Sequence, residues 1–173
     1  MKINCKRVTV RDWRQSDRAV FADMHADPEV MHDYGGILNR NESNEKFDRY
    51  VATFERSGFC RWAIELLNGE FLGYAGLMPV GSCHPLGAHV DIAWRLMRNA
   101  WGYGYATEAA SATLSDGLER LGVSEVIGYT APENLRSQAV MIRLGMKRDP
   151  TRDFSVNYDF GPWNGLVWAK ILD

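Results

Sequence analysis

One stretch limits what this chain can fold into more than any other. An apolar strand pattern from His89 to Met97 runs into a glycine turn, Asn99 to Gly104, and out into a long amphipathic segment. Ala106, Ala109, Ala110, Thr113, Leu114, Gly117, Leu118 and Leu121 recur at helical spacing, and Gly122 supplies a C-terminal stop. The first N–H groups of such a helix have no internal partner and point at whatever sits there. The helix dipole adds roughly half a positive charge at that end. Glycines have no Cβ to hold a ligand off. The segment therefore predicts a site for phosphate or pyrophosphate. A P-loop needs GxxxxGK[ST], which the sequence lacks. A dinucleotide fingerprint needs Gly or Ala where Thr107 follows Gly102 and Gly104, and an earlier strand. Taken alone, the two glycines also fit an ordinary tight turn.

Around this segment the apolar period switches repeatedly, as in a mixed α/β domain. Val8 and Val10 alternate with Arg7, Thr9 and Arg11 as an opening strand. Ser16 is placed to cap a helix carrying Val20, Phe21 and Met24, limited by Pro28. Asn41, Glu42 and Glu45 begin a second helix, in which Phe47, Tyr50, Val51 and Phe54 read as core and Gly58 as the stop. Trp62–Leu67 and Phe71–Val80 read as strands joined by an Asn68-Gly69 hairpin turn. Val123–Thr130 reads as a strand and Asn134–Leu144 as a helix closed by Gly145. Pro150–Gly165 reads as irregular, and Val167–Leu172 as a last strand.

The 173 residues, 46% hydrophobic and 12% aromatic, suit one domain, 1–173, with a sizeable core. The net charge of -2 lacks the basic excess of a nucleic-acid binder. Cys5, Cys60 and Cys83 form no CxxC, and His25, His32, His84 and His89 show no metal spacing, so no metal is predicted. Neither an apolar leader nor a membrane-length stretch is evident, which predicts a cytoplasmic protein with no membrane partner.

The segments Asp91-Ile92-Ala93-Trp94-Arg95-Leu96 and Ala100-Trp101-Gly102-Tyr103-Gly104-Tyr105-Ala106-Thr107-Glu108-Ala109 resemble motif A of the GNAT acetyltransferase superfamily. They look most like the subgroup of ribosomal-protein N-terminal acetyltransferases. Asp27-Pro28-Glu29-Val30-Met31 resembles that subgroup's first helix exit. Thr130–Ser137 with Leu144-Gly145-Met146 resembles its motif B. The resemblance covers nearly the whole chain in order. It implies a single twisted, mixed but mostly antiparallel sheet flanked by about four helices, with splayed central strands. It implies acetyl-coenzyme A as donor, direct attack on the thioester, and an amine acceptor, either a small molecule or a protein N-terminus. A catalytically silent coenzyme A-binding sensor is the alternative. A monomer or a homodimer is compatible with either.

The resemblance also assigns residues. Arg98, Asn99, Ala100, Trp101, Gly102, Tyr103, Gly104, Tyr105 and Ala106 would cradle the pyrophosphate, mainly through backbone donors, with Arg98 as helper. Trp94, Arg95 and Leu96 would carry the pantetheine arm and supply the oxyanion donor. Asn134 would bind that arm or cap its helix, or both. The usual motif-B tyrosine is replaced by Met141, which leaves Ser137 as the candidate to assist the departing thiolate, unless it is simply a small residue that lets the cofactor pass close. Asp91 is the candidate base, because a strand carboxylate near an apolar cleft has its pKa raised toward neutrality. A salt bridge, with Arg95 on the same face, is the plainer reading. Glu65, Asp153 and a water relay are further choices. His32-Asp33-Tyr34-Gly35-Gly36 and Phe154–Trp163 read as loops able to close on an acceptor, with Tyr34 and Trp163 as aromatic walls.

Overall fold

The protein is described from a computed structural model covering residues 2–158 and 161–171. Its strands are β1 (Lys2–Asn4), β2 (Val8–Arg11), β3 (Trp62–Leu66), β4 (Phe71–Val80), β5 (His89–Leu96), β6 (Glu125–Thr130), β7 (Lys147–Arg148), β8 (Phe154–Tyr158) and β9 (Gly161–Ile171). The helices are α1 (Asp17–His25), α2 (Arg40–Ser57), α3 (Tyr105–Leu121) and α4 (Leu135–Arg143). Sheet order is β1-β2-β3-β4-β5-β6-β9-β7, with β8 paired to β9. Among the described residues one pairing is parallel, β5 with β6; the others are antiparallel. This is the mixed, mostly antiparallel sheet with four flanking helices that the resemblance implies.

Local rules account for most boundaries. Asn39 and Glu42 form a reciprocal capping box at the start of α2, and Gly58 ends the helix in the left-handed region at φ +75°. Gly69 sits at φ +90° between β3 and β4. Gly122 ends α3 at φ +62°. Ser16 makes no capping bond; Asp17 instead accepts the Arg14 N–H at 2.7 Å.

Two readings are corrected. Phe154–Trp163 is not a loop but most of a β8–β9 hairpin, running from Phe154↔Gly165 to Tyr158↔Gly161. Trp163 therefore lies on a strand. The last strand starts at Gly161 rather than Val167. Residues 159, 160 and 172 of those readings lie outside the described residues.

Alternation along the strands divides the core into two layers. Val8, Val10, Ile64, Ala75 and Leu96 pack with Ala109 of α3, and Ile92 packs with Ala110 and Leu114. On the opposite face Tyr74 packs with Phe21, Met24, Phe47 and Tyr50 of α1 and α2. The α1–α2 face thus receives Asp91, Ala93 and Arg95 of β5, while Ile92, Trp94 and Leu96 face α3 and α4.

Candidate active site

The site begins with an edge of β5. The Met97 N–H donates to the Leu72 carbonyl at 2.8 Å, and β5 keeps one register with β4 from Leu96↔Gly73 to His89↔Val80. Antiparallel pairs alternate between those that exchange backbone hydrogen bonds and those that do not. The peptide groups of Leu96, Trp94 and Ile92 accordingly face away from β4. On that side β6 meets β5 at a single pair among the described residues, Asp91↔Ile127. Beyond it the strands part, and the edge from Trp94 to Leu96 opens into a cleft of about 800 Å³. The Leu96 carbonyl is taken by the Trp101 indole at 2.9 Å.

The cleft ends on the glycine turn. Gly102 and Gly104 have φ +85° and +81°, values that glycine adopts without penalty. A Cβ on Gly102 would meet nothing within 4 Å, because that side faces open space. Gly104 caps α3, whose first internal bond runs from the Glu108 N–H to the Gly104 carbonyl at 3.1 Å. Helix geometry leaves the Tyr105, Ala106 and Thr107 N–H groups without partners. The Thr107 hydroxyl, on the cleft wall, is buried with no hydrogen-bond partner among the described residues.

Arg7, which the sequence did not single out, clamps this turn. Its N–H and Nε donate to Glu108 at 2.6 and 2.8 Å, and its Nη1 to the Tyr103 carbonyl at 2.8 Å. Burial works against the Glu108 charge, but the Arg7 backbone and side-chain bonds outweigh it and hold that carboxyl below its ordinary range. Arg136, with its guanidinium 4.3 Å over the Trp101 ring, and Arg143 complete a cationic rim.

Trp94, Arg95, Leu96, Ala100, Trp101, Gly102, Gly104, Tyr105, Ala106, Asn134 and Ser137 all line the cleft. Arg98 does not: its side chain is exposed and paired with Glu29 at 2.5 Å. Asn99 and Tyr103 belong to the turn but not to the wall, and the exposed Tyr103 ring stacks on Tyr105. The Asn134 oxygen accepts the Ser137 N–H at 3.0 Å, so Asn134 does cap α4. Met141 is buried in the core beside Ile92 and Met146.

Asp91 lies off the cleft wall and is 5% exposed. Arg61 Nη2 holds both its oxygens, at 2.7 and 2.6 Å, and the Tyr129 hydroxyl donates to one at 3.3 Å. Burial works against the Arg61 charge, yet Asp91, together with Tyr50 and Cys60, more than offsets this and raises the guanidinium's pKa. A carboxylate held in a buried ion pair off the cleft wall is not placed to take a proton from an amine bound there, and the base reading of Asp91 is corrected accordingly. Its salt bridge is with Arg61 rather than Arg95. Glu65 is likewise buried between Arg11 and Arg14, and Asp153 is paired with Arg148.

Arg95 projects to the α1–α2 face, where it binds the Val30 carbonyl and Asp33. Tyr34 lies beneath two cations, Lys46 at 4.0 Å and Arg95 at 5.2 Å from its ring centre. Trp163 donates to the Asp33 carbonyl at 3.3 Å. Both aromatics therefore flank Asp33, although neither lines the cleft itself.

Among the described residues no His/Cys/Asp/Glu cluster could hold a metal ion, and no helix is long and apolar enough to cross a membrane. A model of the GNAT acetyltransferase domain matches residues 7–147. The uncharacterized N-acetyltransferase YnaD of Bacillus subtilis is 38% identical over 162 residues, 86% of this chain and 84% of YnaD. An acetyltransferase structure from Agrobacterium tumefaciens superposes with a TM-score of 0.82 at 25% identity, covering 99% of this chain and 95% of that one. The ribosomal L7/L12 acetyltransferase RimL, solved with coenzyme A, shares the fold with a TM-score of 0.79 at 14% identity, covering 100% and 99% of the two chains. Fold, cleft and sequence relatives agree: the chain belongs to the GNAT family of acetyltransferases.

Proposed function

We propose that the protein transfers the acetyl group of acetyl-coenzyme A to an amine, carried by a small molecule or by a protein N-terminus. One observation carries the reading. The unpaired β5 edge leads through a single cleft to the N-terminus of α3. An extended amide-containing arm ending in a pyrophosphate fits that layout. The open side of Gly102, the unpartnered Thr107 hydroxyl and the exposed N–H groups at the α3 start suit the phosphates. The Trp94–Leu96 edge suits the amide arm, with Asn134 and Ser137 facing it across the cleft.

When bound, acetyl-coenzyme A supplies an activated thioester. The chain's own groups then position and polarise. The Trp94 and Leu96 N–H groups point where a carbonyl oxygen would gain charge as the amine nitrogen attacks and the C–S bond breaks. The Ser137 hydroxyl, on the opposite wall, assists the departing thiolate. Both carboxylates on the wall, Asp33 and Glu108, are in ion pairs. In this reading the amine proton goes to water rather than to either carboxylate, and much of the acceleration comes from holding the two reactants together.

The test is release of free thiol when the protein meets acetyl-coenzyme A and a panel of amines, run beside Gly104→Val. Valine would be strained at φ +81° and would place a Cβ 3.5 Å from the Arg7 guanidinium. The expected outcome is amine-dependent thiol release by the wild type, reduced by about tenfold or more in the folded variant. Amine-independent release, or unchanged turnover in Gly104→Val, would contradict the reading.

A further inference from the structure

We infer that Asp33 is a positioning residue, which fixes the Asn134 amide so that one of its N–H bonds is presented to the cofactor arm. The inference rests on the acetyl-coenzyme A reading above. Asp33 lies in the connection between α1 and α2, remote in sequence from both walls of the cleft. Its Oδ1 accepts from Arg95 Nη1 of β5 at 3.0 Å. Its Oδ2 accepts from Asn134 Nδ2, at the start of α4, at 2.5 Å. Its backbone carbonyl accepts from Trp163 of β9 at 3.3 Å. A single side chain thus straps β5 to α4 across the opening where β5 and β6 part.

The consequence lies in the amide. A carboxamide has one acceptor oxygen and two N–H donors, and it can be turned either way round. In Asn134 the oxygen is committed to the Ser137 N–H at 3.0 Å and one N–H to Asp33. Both ends are therefore assigned, which leaves one N–H with a fixed direction in a residue that lines the cleft. A carbonyl on an amide arm passing Asn134 is the chemistry that this donor fits. Without the Asp33 carboxylate the amide keeps its cap but loses the bond that holds its nitrogen in place. Asparagine at position 33 does not substitute. It has one acceptor to offer where Arg95 and Asn134 are both donors.

The prediction is a coupling rather than a simple loss. Binding of coenzyme A to the whole protein is measured by calorimetry for the wild type, Asp33→Asn, Asn134→Ser and the double variant. Serine keeps the α4 cap but has no amide. If Asp33 acts through Asn134, Asp33→Asn weakens coenzyme A binding about fivefold or more in the wild-type background and by less than about twofold in the Asn134→Ser background. A merely structural role would give the same factor in both, and equal factors would overturn the inference. So would unchanged affinity in the folded Asp33→Asn single variant. If Asp33→Asn does not fold, Asp33→Glu takes its place, keeping the charge beside Arg95 while overshooting Asn134. Failure of the wild type to bind coenzyme A would instead overturn the cofactor reading itself, and this inference with it.

Discussion

His25 shows how one side chain sets a pH limit for the molecule. It is fully buried between Phe21 and Tyr74, 4.2 and 5.9 Å from their ring centres. Its Nδ1 meets the Phe21 carbonyl at 2.8 Å and so carries the proton, while Nε2 has no partner among the described residues. Burial, with the nearby Lys46 and Arg95 charges, lowers its pKa to about 3 despite that bond. Between that value and the ordinary histidine range the unfolded chain binds the extra proton and the folded chain does not. The contribution of neutral His25 is therefore complete above about pH 6.5 and is lost as the pH falls, at a slope approaching roughly 1.4 kcal/mol per pH unit. His25→Gln removes the titration and keeps a donor for Phe21. Urea midpoints measured from pH 7 to 5 should fall less steeply for the variant than for the wild type; parallel curves would show that His25 is not buried neutral. The same cations act on Tyr74: burial alone would raise its pKa, but Lys46 and Arg95, with Tyr50 and Arg61, pull it down to about 8. None of this is visible along the chain, where His25 is one histidine at the end of a helical pattern. Gly102, Gly104 and Asn134 are different. The turn and the cap that they form follow from neighbours a few residues away, so the sequence discloses these local structures. Arg7, Asp33 and Thr107 owe their surroundings to groups brought together only by folding, or to a space that folding leaves.

At the scale of elements, β5 carries both the site and its support. Its Trp94–Leu96 edge faces the cleft, while Asp91 on its other side is pinned to Arg61, which also donates to the Gly76 carbonyl at 2.7 Å. Breaking one side of a buried ion pair leaves the other charge uncompensated, at a cost of roughly 3–5 kcal/mol. Asp91→Asn should therefore lower the melting temperature markedly, while the acid limb of kcat against pH keeps its position. A stable variant whose acid limb has moved or vanished would restore Asp91 as the base. The Arg61 pairing could not be read from β5, because the partner lies thirty residues earlier at the mouth of another strand. The β8–β9 hairpin escaped for a related reason. Gly161, Pro162 and Gly165 read locally as loop formers. In the fold, a Cβ on Gly165 would lie 2.7 Å from the Phe154 ring, so glycine there lets an aromatic cross-strand neighbour pack flat against the backbone. By contrast α2, α3 and the β3–β4 turn depend on caps, a long apolar stripe and an Asn-Gly pair, and these are legible in any short window.

For the molecule as a whole, the proposed function rests on the place where, among the described strands, neighbours β5 and β6 separate. The apolar layer under α3 and α4 joins β4 and β5 to β6 and β9 across that gap, while the layer under α1 and α2 packs against β4 on the other face. The α1–α2 connection crosses the gap through Asp33, and the α3 N-terminus closes its far end. An amide arm laid in the gap would complete the missing ladder. This placement is tested most directly by following backbone amide resonances while the protein is titrated with coenzyme A. Saturable shifts should concentrate at Trp94, Leu96 and the turn from Gly102 to Thr107, with β1 to β3 nearly unmoved. Saturable binding that left Trp94 and Leu96 unshifted would show that the arm does not lie along β5.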